Sequence, residues 1–198
     1  MSVYRRNGNR IHAYFDQSRN DQFDLKGKNF VKSIFSKLGF LTVDYDKDSD
    51  GNHVWQNTDL LIKSPQGKFY RIEPEIKRER IFGYTKDGVD IPLRKEKYAY
   101  GSIRTKFFII NENLKEFIIV DDEKIKIAVD ACGEEYEGYG SLPNSKNFVL
   151  PDHGCRRVRK LCRKNDNQKH YDDFVRIPLS QAKHYKLNSF GTWQLCSS

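Results

Sequence analysis

Two periods of apolar residues run along this chain. Phe23, Phe30, Val31, Ile34, Phe35 and Leu38 form a stripe at helical spacing, with Gly39 placed to cap its C-terminal end. Gly27 weakens the first turns and predicts a helix that starts near Lys28. Beyond it the apolar residues come in short β-branched and aromatic runs, the signature of strands. Residues 40–45, 53–63 and 68–77 are predicted strands, separated by the turn signals Asp50-Gly51 and Ser64-Pro65-Gln66-Gly67. Residues 89–93 read as an extended piece, and residues 104–110 and 116–120 as strands joined by a connection of hairpin length. Residues 124–129 suit a strand or a short helix, and Asp121, Asp122 and Glu123 read as turn residues. After Gly133 the periodicity fades. Val158 and Leu161 suggest a short helix within 155–164, residues 174–178 a strand, and 180–187 a helix capped by Ser180. A helix followed by strand, hairpin and further strands predicts an α+β (α/β) domain with a mixed central sheet flanked by helices.

Composition narrows this picture. The chain of 198 residues is 37% hydrophobic and 13% aromatic, enough to bury one substantial core. Residues 1–20 are a basic arm with Arg5, Arg6, Arg10 and Arg19, ordered on this reading by Tyr14 and Phe15. Residues 21–132 are the core, and residues 133–198 a basic Cys/His-containing C-terminal extension completing the same domain. The net charge of +8 favours a polyanionic partner through counterion release. No apolar stretch approaches membrane-spanning length, so no membrane partner is expected. The first residues carry positive charge without an apolar h-region, so no signal peptide is expected. Cys132, Cys155, Cys162 and Cys196 are then expected as reduced thiols in a cytoplasmic compartment.

The informative chemistry lies in the third strand, Phe69-Tyr70-Arg71-Ile72-Glu73-Pro74-Glu75-Ile76-Lys77. Period-two geometry sends Glu73, Glu75 and Lys77 to one face. Asp59, at the head of the run Leu60-Leu61-Ile62, would stand beside them on a neighbouring strand. Mg²⁺ takes oxygen ligands, typically one or two carboxylates with waters and phosphate oxygens. Asp59 and Glu75 offer the carboxylates, and strand geometry permits the main-chain carbonyl of Ile76 to join them. Lys77 is suited to orient or help deprotonate the attacking water, or to neutralise charge in the transition state, with Glu73 in support. Mn²⁺ is expected to substitute for Mg²⁺.

This constellation resembles the PD-(D/E)XK nuclease superfamily over about residues 21–120. The resemblance implies a restriction endonuclease-like or Holliday junction resolvase-like fold and a metal-dependent endonuclease acting on DNA. In that family a helix packs beside a sheet, an Asp lies at the second strand and an acid-x-Lys triplet on the third. Asp59, Glu75 and Lys77 match those places, and the stretch from Lys26-Gly27 to Phe40 matches the first helix. By analogy with such endonucleases a homodimer is expected. The chain departs from the pattern at three points. Thr58 precedes Asp59 where proline is frequent. The stretch Asn29-Phe30-Val31-Lys32 lacks the metal-associated glutamate often found on the first helix, leaving Glu73 or Asp24 for that role. Pro74 lacks a ladder donor, so the strand must be unpaired or bulged there.

Basic residues surround these acids in sequence. Arg78, Arg80, Arg94, Lys95, Lys97 and Arg104 form one group, with Lys106, Tyr98 and Tyr100 interleaved, suited to a phosphate backbone. Arg156, Arg157, Arg159 and Lys160 form a second, continued by Arg163 and Lys164. His153, Cys155, Cys162 and His170 have ligand types for structural Zn²⁺ but lack a C-x₂₋₄-C knuckle, a weak signal against the reading of buried apolar thiols. The alternating Asp44, Asp46, Asp48 and Asp50 read as a solvated loop rather than a Ca²⁺ loop. The competing function is a non-catalytic basic DNA- or RNA-binding protein, zinc-stabilised in its C-terminal part in one version. Duplex, junction, flap, single-stranded and RNA substrates all suit the nuclease chemistry.

Overall fold

The computed structural model describes residues 5–6, 9–10, 17–50, 54, 57–78, 88–131, 134–137, 151–165 and 168–196; at 5–6, 9–10, 17–20, 134–137, 160–165 and 168–171 only the backbone is described. Strands β1 (Arg5–Arg6) and β2 (Asn9–Arg10) pair with each other near the start. Helix α1 (Gln17–Lys37) follows, and it includes Gly27 rather than starting after it. A Cβ at Gly27 would make ordinary contacts with Pro74 (3.5 Å) and Ile76 (3.6 Å), so α1 packs on the central strand at this position and that packing holds the helix through the glycine.

A seven-stranded sheet forms the centre. It contains β3 (Leu41–Asp44), β4 (Leu60–Lys63), β5 (Phe69–Lys77), β7 (Thr105–Asn111), β8 (Glu116–Asp121), β12 (Lys183–Leu187) and β13 (Trp193–Leu195), in the order β13-β12-β8-β7-β5-β4-β3. β5 and β7 run parallel and the other neighbours antiparallel, so the sheet is mixed. The crossover between β5 and β7 carries β6 (Val89–Pro92) and a 3₁₀ segment, Leu93–Tyr100. Helix α2 (Asp122–Asp130) follows β8 directly. A second sheet, β6-β11-β10-β9, is built from β6, β9 (Glu134–Glu137), β10 (Arg156–Asn165) and β11 (Gln168–Ile177). The C-terminal strands thus complete both sheets.

The period-two pattern of the central strands divides the core. On the α1 side, Ile72, Phe108, Ile110 and Phe117 pack with Phe30, Val31, Leu60 and Ile62. Phe117 stacks on Phe108 and Tyr185 and meets Phe30 and Trp193 edge-on, a compact aromatic cluster. On the opposite side, Phe107, Ile109, Ile118 and Val120 pack with Ile125 and Ala128 of α2 and with Val89, Ile91, Val175 and Ile177 of the second sheet. The structure therefore supports a mixed α+β domain with a sheet-dominated core. No described helix is long and apolar enough to cross a membrane.

Four local expectations are corrected. Residues 156–165 form a strand, not a helix, because β11 pairs along the whole run and Val158 faces the core with Cys155. Residues 183–187 are likewise a strand: β12 pairs with β8, and His184 and Lys186 both reach Glu116. The second strand starts at Leu60, not at 53. Asp122, expected in a turn, opens α2 while buried, accepting hydrogen bonds from the Thr105 N–H (3.3 Å) and from Arg104 Nε (2.8 Å).

Candidate active site

The direction of each β5 side chain follows from its contacts. Ile72, Pro74 and Ile76 face α1, which leaves Arg71, Glu73, Glu75 and Lys77 on the opposite face. Backbone directions follow as well. The Arg71 N–H donates to Arg104 (2.9 Å) and the Lys77 carbonyl accepts from Glu112 (2.9 Å), so odd-numbered residues turn their backbone groups towards β7. Pro74 and Ile76 turn theirs the other way, past Leu60↔Ile72, where pairing with β4 ends. Proline is tolerated there because no ladder partner remains on that side. The same alternation points the Ile76 carbonyl to the β4 side, beyond the end of that strand.

Asp59 precedes β4 and lies across from Glu73: its backbone N–H donates to Glu73 Oε2 (3.4 Å). Lys77 forms an ion pair with Glu75. A further cation enters from the 3₁₀ segment. Lys95 Nζ lies 2.9 Å from Glu73 Oε1 and 3.4 Å from Glu75 Oε2, with its side chain only 16% exposed. From α1 comes Lys28, whose ammonium meets Asp24, Asp46 and Asp59. Three lysines thus lie among five carboxylates, leaving two negative charges when every group is ionised. Glu75 Oε2 is buried and receives no hydrogen bond; the Lys95 ammonium is near it but is not aimed as a donor.

The electrostatics separate these acids. Burial, then the charge of Glu73, pushes the Asp59 carboxyl up to about 8. Burial also raises Glu73, against the pull of Lys95. Burial pushes Glu75 the same way, but Lys95 and Lys77 outweigh it and bring the carboxyl down to about 2. Asp59 is therefore held towards its protonated form at neutral pH, Glu73 is moved in the same direction, and Glu75 stays ionised. A carboxyl raised in the fold contributes stability below its unfolded value, 3.8 for Asp59, and loses it as pH climbs through about 8. Glu75 acts oppositely, its contribution being lost as pH falls from 4.5 towards 2. Asp59→Asn is thus expected to gain stability relative to wild type as pH rises from 5 to 8.5. Urea denaturation in EDTA at both values checks this, and a difference independent of pH would contradict it.

The segment carrying Lys95 is held by Arg71. Its guanidinium donates to the carbonyls of Ile103 (2.9 Å) and Tyr98 (3.2 Å). Gly101 makes room for it, since a Cβ there would fall 1.8 Å from Arg71 Nη2. Arg71→Met leaves those carbonyls without their charged donor and should lower stability by about 2 kcal/mol in urea denaturation.

Comparison with family models, with curated proteins and with solved structures yields no match for this chain.

Of the basic residues read as phosphate contacts, Arg78, Arg94 and Lys97 are exposed, Lys97 lying over the Tyr98 ring at 4.9 Å. Lys95 is corrected: it is an internal counter-ion of the acids. Arg104 is tied to Asp122 and Glu123, Arg159 to Asp173, and buried Arg156 donates to the Gly154 carbonyl (2.9 Å). Arg157 is half-buried. Arg80, the Lys160 side chain and the basic arm's side chains lie outside the described residues.

Cys155 and Cys162 do not stand together for one shared Zn²⁺. Cys155 precedes β10 and Cys162 lies well along it, roughly 20 Å away in an extended strand. Cys155 is buried in the core, its backbone N–H donating to His153 Nδ1, while the side chains of Cys162 and His170 lie outside the described residues. Asp46 is also corrected, being a buried partner of Lys28 rather than a solvated loop residue. The sequence held one signal for Lys28, its i,i+4 relation to Asp24. None pointed to Asp46 or Lys95.

Proposed function

We propose that this chain is a metal-dependent endonuclease of the PD-(D/E)XK type, built on a restriction endonuclease-like core and hydrolysing phosphodiester bonds in DNA. The observation that carries the reading is the joining of Asp59, Glu73, Glu75 and Lys77 at one open strand end. A divalent cation fits this donor set on two counts. Asp59 and Glu73 lack enough nearby positive charge to offset the burial of their ionised forms, and Glu75 Oε2 is a buried acceptor that receives no hydrogen bond. Asp59, Glu75 and the Ile76 carbonyl would hold Mg²⁺, or Mn²⁺ in its place. Such an ion lowers the pKa of a coordinated water and offsets charge growing on the phosphate.

The chain's own residues supply the rest. Asp59 gives up its proton when the site is loaded. Lys77, paired with Glu75, stands where an attacking water is oriented and where transition-state charge is neutralised. Glu73 fixes the Asp59 main chain and anchors Lys95. The exposed Arg78, Arg94 and Lys97 suit the substrate backbone. A homodimer placing two such sites on two strands accords with this activity.

The test is cleavage of supercoiled plasmid and of single-stranded DNA by the purified full chain. Cutting that appears with Mg²⁺ or Mn²⁺ and stops with EDTA is the expected result. Binding unaffected by EDTA, with neither substrate cut, would leave the non-catalytic nucleic-acid binder.

A further inference from the structure

Lys28 is an unusual lysine for a helix. Its side chain is only 7% exposed, although lysines on a helix can ordinarily extend their ammonium to water. The ammonium lies 2.7 Å from Asp46, 3.0 Å from Asp24 and 3.7 Å from Asp59. One oxygen from each of these carboxylates lies within 4.8 Å of the other two. The acids arrive from three separate segments: α1 itself, the loop after β3, and the residue before β4. A pair with Asp24, one turn away, would satisfy an ordinary helix lysine. Oxygens from three segments converging on one point form instead the environment of a hard cation, and an ammonium occupies that point.

We propose that Lys28 is a built-in cation that stands where a second divalent ion would otherwise bind, so that the site works with one metal ion. The assignment rests on the nuclease reading for the role of Asp59, but its core, that Lys28 fills a cation position, does not. Asp59 is then shared. Lys28 holds it from the α1 side, leaving its other oxygen for the ion that Glu75 also serves. Lys28 acts through Asp59 and is a positioning residue. Its removal leaves the Asp24, Asp46 and Asp59 carboxyl groups facing one another around a vacated centre.

The experiment counts metal ions. Wild type, Lys28→Met and Lys28→Arg full chains are titrated with Mn²⁺, with stoichiometry from calorimetry and from the electron paramagnetic resonance of free Mn²⁺. One Mn²⁺ per wild-type and Lys28→Arg chain, and two per Lys28→Met chain, is the expected result. An equal count in wild type and Lys28→Met overturns the assignment, as does a wild-type chain that binds two. A wild type that binds none with a Lys28→Met chain that binds one retains Lys28 as the internal cation and removes the metal-dependent nuclease reading. If Lys28→Met is too unstable to titrate, its thermal midpoint is compared in EDTA and in Mn²⁺. A rise larger than that of wild type supports the assignment, and an equal or smaller rise overturns it.

Discussion

Asp59→Asn is expected to slow metal-dependent DNA cleavage by orders of magnitude while leaving a protein at least as stable as wild type above pH 8. The two effects have one cause. Asp59 is partly buried beside Glu73, and its ionisation is disfavoured in the metal-free fold. Asparagine keeps the shape and removes the charge that the fold resists. The same charge is what a divalent cation requires. Loss of a group that stabilises the transition state this directly costs on the order of 10²–10³-fold in rate. Lys77→Met should lose a similar factor while retaining metal binding, since Lys77 pairs with Glu75 rather than standing among the oxygen ligands. Single-turnover cleavage measures the rate and urea denaturation the stability. Near-normal cleavage by Asp59→Asn would remove Asp59 from the chemistry, whatever its stability. A site that conflicts with stability in this way is common where function requires a strained charge.

Lys95→Met should be among the most destabilising single changes in the described chain. The ammonium serves Glu73 and Glu75 together, and both lie largely out of water. Removing one partner of a buried ion network leaves the others uncompensated, which typically costs about 3–5 kcal/mol. Denaturation in EDTA checks this, and a change below about 1 kcal/mol would show that solvent already screens the pair. The variant also distinguishes an internal counter-ion from a phosphate contact. DNA affinity, followed against salt, should fall more in Arg94→Ala and Lys97→Ala than in Lys95→Met, because the exposed side chains meet the polyanion. The opposite order would return Lys95 to the binding surface.

Local pattern carried the central strands well. The runs around 69–77, 105–111 and 116–121 are strands, because apolar alternation is a property of a few neighbouring residues. The C-terminal part departs from the local pattern for a related reason. Val158 and Leu161 stand three residues apart, which suggests a helix, and the long charged stretch around them gives no alternation to oppose it. Pairing with β11 decides the matter, and that pairing is invisible to a local window. Residues 180–187 failed likewise: Tyr185 packs under the central sheet only because β8 offers an edge.

By itself the sequence determined the acidic face of β5, the stripe of α1 and the place of Asp59 at the head of β4, each being a matter of periodicity over a few residues. The tertiary structure decided which cations join these acids. Lys95, from the crossover leading to β7, enters the acidic face of β5, and Lys28, from the helix packed on the other face, reaches Asp59 at the strand end; both contacts depend on chain connections that no spacing encodes. It also decided why Pro74 is tolerated, since the donor it lacks would point beyond the end of β4. Charge chemistry in a protein depends on distance and burial, and both are set only when separate segments pack together.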